Sequence, residues 1–115
     1  MKIILLNGKK KIKVNVKKVS FFGKFFGLMF RGRDTTSLLF EFSKNVNISI
    51  HSLFVFFPFL AVWLDDKNRI IEKRIVKPFI FSAKPSKKFR KLVEIPLNNE
   101  NKRIIHFLVG KKRFK

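Results

Sequence analysis

Two short segments joined by a tight-turn dipeptide open the chain, and they constrain its fold more than any other feature. Residues 10–16 alternate strictly, with Ile12, Val14 and Val16 on one face and polar residues on the other, as in a strand buried on one side. Residues 2–6 are placed to pair with that strand through Asn7-Gly8, a dipeptide typical of two-residue hairpin turns. The sequence therefore predicts an opening β-hairpin.

Later segments predict further strands and one helix. Residues 38–42, 46–50, 92–97 and 104–109 have strand-like apolar patterns, and 58–65 with 69–76 predict a second hairpin around Asp65-Asp66-Lys67-Asn68. Phe and Met at helical spacing predict a short helix near residues 20–30. Closing the sheet hides its edges, so we expect a mainly β (α+β) fold. It would be a small barrel-like or strongly curled, antiparallel-rich sheet of about six to eight short strands.

The chain has the length of a single domain. Its 115 residues contain no cysteine, which is consistent with a reducing compartment. The first residues are too few to form the apolar core of a secretory signal, and the longest apolar stretch, 53–64, falls short of the roughly 20 residues of a membrane span. We expect one cytoplasmic β-rich domain over 1–110, followed by a basic tail over 111–115, with no transmembrane segment.

Few residues have the spacing that enzyme chemistry requires. Asp65 and Asp66 are adjacent but occupy a predicted turn, where Asp is favoured for local hydrogen bonds. His51 and His106 lie far apart, without metal-ligand spacing, and no nucleophile elbow or phosphate loop is present. The sequence predicts no catalytic residue, no metal and no cofactor. His51 is then either a hydrogen-bonded core or rim residue, or part of a ligand site.

The charge is the strongest functional signal. Twenty-seven Lys and Arg against seven Asp and Glu give a net charge of +20, a field that attracts polyanions. The basic clusters with which we expect a polyanion to interact are Lys9, Lys10 and Lys11, then Lys87 and Lys88, then Lys111, Lys112 and Arg113. Compositional bias is the alternative, because Lys outnumbers Arg 20 to 7 and Arg is the better bidentate phosphate ligand.

Residues 21–31 allow more than one interpretation. Their Phe, Leu and cation content suits an interfacial membrane segment, although core packing is the favoured interpretation. Arg31 follows the predicted helix end, where a cation is stabilised by the helix dipole, or it contacts an anionic ligand.

Three sequence blocks carry a resemblance to a known family. They are Gly-Leu-Met-Phe-Arg at 27–31, Leu-Phe at 39–40, and Ile-His at 50–51 followed by Pro58. In that order they resemble the uncharacterised family "domain of unknown function 192", over roughly residues 10 to 96. The resemblance implies a compact, mostly β domain with one helix and no settled activity. The chain departs from the family at Phe56, Leu60 and Lys111, where polar or acidic residues are usual.

The sequence therefore predicts a non-catalytic binding or accessory module that uses a basic surface for anionic partners such as nucleic acid. The rival hypothesis is a structural or protein-interaction domain whose charge is compositional. Arg31 and His51 are the weaker ligand-binding candidates.

Overall fold

Six strands and one helix occupy the residues that the computed structural model describes, which are 1–19, 32, 35–50, 55–80 and 82–110. In chain order they are β1 (Lys2–Asn7), β2 (Lys10–Lys18), β3 (Ser37–Val46), β4 (Phe59–Leu64), β5 (Ile70–Val76), β6 (Phe89–Pro96) and the helix α1 (Lys102–Val109). The helix predicted near 20–30 lies outside the described residues.

β1 and β2 form the predicted opening hairpin. Asn7 pairs with Lys10, so the loop is Gly8-Lys9, one residue later than the predicted Asn7-Gly8. Gly8 has a φ of 65°, a left-handed conformation that glycine adopts without a Cβ clash. A glycine at the first loop position is typical of the type II′ turn, whose twist matches the flanking strands.

The six strands form one sheet in the order β1-β2-β3-β6-β4-β5. All neighbours are antiparallel except β2 and β3, which run parallel. Leu6 of β1 and Arg69, next to β5, form a single bridge between the two edges. The sheet therefore curls into a half-barrel whose edges meet at one end, which confirms the predicted fold class.

Apolar side chains cover both faces of this sheet. One face, which we call the helix face, packs against Ile105 and Leu108 of α1. The opposite face packs around Trp63 and Phe89 and is covered in part by Val55, Phe57 and Ala83 from the connecting segments. β4 is buried along its full length, so residues 59–64 of the longest apolar stretch, 53–64, lie in the core, whereas Phe56 in the first half of that stretch is exposed.

Two predicted strands were wrong. Residues 104–109 belong to the helix α1, not to a last strand, because Ile105 and Leu108, three residues apart, meet the same core while Phe107 is exposed. Residues 46–50 are not a separate strand: Val46 ends β3, which contains an irregularity between Glu41 and Val46. Ile50 makes only an isolated bridge with Ala83.

Candidate polyanion-binding surface

The sequence-predicted basic residues that the structure describes fall into two groups. Lys9, Lys10 and Lys11 are exposed at the β1–β2 turn, and Lys87 and Lys88 are exposed just before β6. The other predicted site residues lie outside the described residues; they are Arg31, His51, Lys111, Lys112 and Arg113.

Strand register places these two groups at different ends of the sheet. β2 contacts β3 only through its last residues, with Val16 beside Ser37, so the β1–β2 turn lies beyond the start of β3. Lys88 precedes Phe89, which lies beside Val46 at the other end of β3. The described members of the predicted set, Lys9, Lys10 and Lys11 on one side and Lys87 and Lys88 on the other, therefore do not form one continuous patch.

The β1–β2 turn meets two other parts of the chain. The backbone N–H of Leu6 donates to the carbonyl of Asn68 at 2.9 Å, which brings the β4–β5 turn alongside. Lys10 Nζ lies 5.2 Å from the centroid of the Phe107 ring in α1, a cation–π distance. We call the exposed cations gathered here the turn surface: Lys9, Lys10, Lys11, Lys67 and Arg69.

The β4–β5 turn is held by Asp65, as expected for an Asp in a turn. Its Oδ1 accepts hydrogen bonds from the backbone N–H groups of Lys67 and Arg69, both at 2.9 Å, and its Oδ2 accepts one from Arg69 Nε at 2.6 Å. Burial acts to raise the pKa of Asp65, but the hydrogen bonds from Arg69 and Lys67 and the Arg69 charge outweigh it and lower this pKa. Asn68 closes the turn with a φ of 65°.

The second group, Lys87 and Lys88, follows a short segment that hydrogen bonds hold against β5. The carbonyl of Lys84 accepts a hydrogen bond from Arg74 Nη2 at 3.4 Å, and Ser86 donates through its backbone N–H and its hydroxyl to Glu72 Oε1, both at 3.2 Å. Glu72 also pairs with Arg74 at 2.6 Å. Burial acts to raise the pKa of Glu72, but the bonds from Ser86 and the Arg74 charge lower it overall.

Glu94 is a buried acid that does not offset the surface charge. Its side chain is 6% exposed, and it lies between Leu38 of β3 and Ala61 of β4 in the sheet register. Desolvation raises the pKa of Glu94 to about 8. At pH 7 Glu94 is therefore mostly protonated, and the molecule is close to one unit more positive than its formal +20.

A cleft of about 240 Å³ separates the β1–β2 hairpin from the start of α1. It is lined by Lys2, Lys13, Asn15, Glu100, Asn101 and Ile104. The two lysines and Glu100 give the cleft a net charge of +1, whereas the turn surface keeps +3 after Asp65 and Asp66 are subtracted from its five cations, so the cleft is the weaker anion site. Within the described ranges, no three His, Cys, Asp or Glu side chains converge as metal ligands. No helix in the part of the chain that the structure describes has the length and apolar character to cross a bilayer.

Sequence reasoning missed the exposed aromatic residues. Phe56, Phe79 and Phe107 have exposed fractions of 59%, 54% and 46%, although Phe in apolar runs usually indicates core. Of the two apolar departures from the resembled family that are described, Phe56 is exposed but Leu60 is fully buried. Only Phe56 therefore adds hydrophobic surface.

Fold and surface together define a small half-barrel β domain with a strongly basic exterior. No family model and no curated protein matches the chain. A protein of unknown function from Novosphingobium aromaticivorans DSM 12444 is similar in structure, with a TM-score of 0.68 and 13% identity over 88% of this chain and 76% of that one. A candidate transcription regulator from Sinorhizobium meliloti 1021 has a TM-score of 0.74 and 15% identity over 90% and 84%. At such identities the likeness shows the fold alone.

Proposed function

We propose that the protein is a small non-catalytic module that binds a polyanion through the turn surface, with nucleic acid as the first candidate. The observation that carries this proposal is the convergence of three sequence-distant segments: the β1–β2 turn, the β4–β5 turn and α1. They bring five exposed cations and the exposed Phe107 ring to one end of the half-barrel. The basic residues Lys111, Lys112 and Arg113 follow α1 after Gly110 in the sequence.

Charge accounting supports the same proposal. Among the described residues three ion pairs form, at Lys18–Glu41, Arg69–Asp65 and Arg74–Glu72, and the neutral Glu94 offers no further compensation. Basic surfaces of this kind bind phosphate backbones mainly through counterion release. The structural neighbour described as a candidate transcription regulator is compatible with a nucleic-acid partner.

We also propose membership of the "domain of unknown function 192" family, and action in the cytoplasm. The mostly β sheet of the described residues supports this membership, whereas α1 lies beyond the span of the resemblance, roughly residues 10 to 96, and does not bear on it. An activity assay would not test this membership, because the family has no settled activity. An alignment of close homologues that carry the Gly-Leu-Met-Phe-Arg block would test it.

Salt-dependent binding tests the function. We expect labelled duplex DNA and single-stranded RNA to bind between about 50 and 300 mM salt, with a log–log slope near −0.9 per neutralised phosphate for duplex DNA. Replacing Lys9, Lys10 and Lys11 by Glu should weaken binding at least about tenfold at 150 mM salt and flatten the slope. Fluorescence anisotropy measures both quantities.

A matched variant separates a local surface from total charge. Lys2, Lys17 and Lys44 are exposed elsewhere, and their replacement by Glu changes the net charge equally. If both triple variants lose the same affinity, or if wild-type binding disappears by about 150 mM salt, the charge is compositional. The protein-interaction hypothesis then replaces this one.

A further inference from the structure

Two exposed aromatic rings meet on the face of the sheet opposite to α1. Phe56 precedes β4 and Phe79 follows β5, and their ring centroids are 5.6 Å apart with an interplanar angle of 74°. Their exposed fractions are 59% and 54%, and Ile80 beside them is 38% exposed. Phe56 is flanked by Val55 and Phe57, each 2% exposed, so this position turns outward from an otherwise buried segment.

The backbone at Phe79 is held in an unfavourable conformation. Its φ is 64°, in the left-handed region that a bulky side chain rarely adopts. Pro78 precedes it within a turn, which is the arrangement of a type II turn, where the third position strongly prefers Gly or Asn. The exposed ring gains little burial in return, and strained positions of this kind cluster at functional sites.

Exposed lysines continue from this aromatic pair along one connecting segment. Lys84, Lys87 and Lys88 are exposed, and the bonds to Arg74 and Glu72 make residues 84–86 run back alongside β5 in the opposite direction. We call these three residues the lysine strip. The sequence has no Asp or Glu from 73 to 93, and the neighbouring Glu72 is already paired with Arg74 and Ser86.

We infer that the aromatic pair and the lysine strip form a second binding surface, which takes single-stranded nucleic acid. Unpaired bases expose π-faces that stack on aromatic side chains, whereas a duplex hides them, and the lysines suit the phosphates of the same strand. Every base has such a face, so this surface would distinguish single-stranded from double-stranded nucleic acid and would not select a particular base sequence. The inference rests on the proposed polyanion binding. It adds to the turn surface a second site, at which the bound polyanion is single-stranded nucleic acid.

Abasic probes test the stacking directly. The probes are a labelled oligothymidine of about 12 nucleotides, an abasic strand of the same length and phosphate number, and a duplex. We expect wild-type protein to prefer oligothymidine over the abasic strand. Phe56→Ala and Phe79→Gly should each weaken oligothymidine binding about 10- to 100-fold and leave abasic binding unchanged. Glycine suits the positive φ of residue 79, so Phe79→Gly removes the ring without endangering the fold.

Ile4→Ala is the matched control, because it removes an exposed apolar side chain, 42% exposed, from β1 instead. The Ile4→Ala protein should bind oligothymidine with the affinity of the wild type. Equal wild-type affinity for oligothymidine and abasic strands would overturn the stacking surface while leaving the proposed polyanion binding intact. Absence of binding to all three probes would overturn both. Binding to phosphatidylserine vesicles but to none of the strands, abolished by Phe79→Gly, would assign the surface to an anionic membrane.

Discussion

At the scale of single residues, Glu94 has the most unusual surroundings. It lies in the middle of the sheet with Leu38 and Ala61 as its register neighbours, and no described residue forms a hydrogen bond or ion pair with its carboxyl group. Trp63, two positions from Ala61 on the same strand, has its indole Nε1 buried without a hydrogen-bond partner. A carboxyl buried in such surroundings is stabilised in its neutral form, because desolvation disfavours its charged form.

Glu94 should make the protein less stable as the pH rises. Its pKa is raised from 4.5 to about 8 in the folded state, so the folded protein keeps a proton that the unfolded chain loses. This contribution is complete below about pH 4.5 and disappears by about pH 8, with a slope of roughly 1.4 kcal/mol per pH unit. Urea unfolding from pH 5 to 8.5 should show this fall for the wild type, whereas Glu94→Gln should flatten it.

Glu100→Gln is the control, because Glu100 is exposed, and it should keep the wild-type slope. The lowered pKa values of Asp65 and Glu72 act in the opposite direction. The stability that they contribute is lost as the pH falls below their ordinary range near 4, outside this window. A wild-type stability that is level from pH 5 to 8.5 would contradict the assignment of Glu94 as a neutral buried acid.

At the scale of elements, local turn chemistry was predictable and long-range pairing was not. The Gly8 turn and the Asp65–Asn68 turn act over a few residues, so both hairpins could be predicted from the sequence. The parallel contact of β2 with β3, and the insertion of β6 between β3 and β4, join distant segments. No local pattern encodes those contacts. These contacts also determine which lysine clusters lie close together in the fold. The clusters could therefore be predicted from the sequence, but their positions relative to one another could not.

The helix α1 shows a different limit. Its sequence, KRIIHFLV, is rich in β-branched and aromatic residues, which favour strands when tertiary contacts are unknown. Its start depends on buried amides: Asn98 Oδ1 accepts from the Asn101 N–H, and Asn101 Nδ2 donates to the Pro96 carbonyl, both at 2.9 Å. These bonds fix the start of the helix to the end of β6. This apolar run is therefore helical because these hydrogen bonds fix the position of its first residues, although its own residues favour a strand.

Two truncations distinguish a helix from a strand over 102–109. Ile105 and Phe107 would share one face of a strand, but in α1 Ile105 is fully buried and Phe107 is 46% exposed. We expect Ile105→Ala to lower the free energy of unfolding by about 2–4 kcal/mol. Phe107→Ala should cost no more than about 1 kcal/mol, mainly the loss of the Lys10 cation–π contact. Urea denaturation measures both, and equal costs would argue against the helix.

At the scale of the whole molecule, the positive charges repel one another across a small body. The longest principal extent is 31 Å, which matches the Debye length of about 30 Å at 10 mM salt. At about 150 mM salt that length falls to about 8 Å, and charges on opposite sides are largely screened from one another. The three ion pairs are mostly exposed on their cationic side, and such surface pairs contribute only about 0–1 kcal/mol each.

Repulsion should therefore outweigh the ion pairs, and added salt should stabilise the fold. We expect the melting temperature to rise between about 10 and 150 mM NaCl, with each kcal/mol gained corresponding to roughly 4–8 °C. Replacing Lys2, Lys17 and Lys44 by Glu lowers the repulsion and should reduce this rise at unchanged fold. Differential scanning calorimetry of both proteins across the salt series provides the comparison. A melting temperature that falls with salt would mean that attractive pairs dominate the exterior, and a basic surface free to bind polyanions would then be the wrong description of this protein.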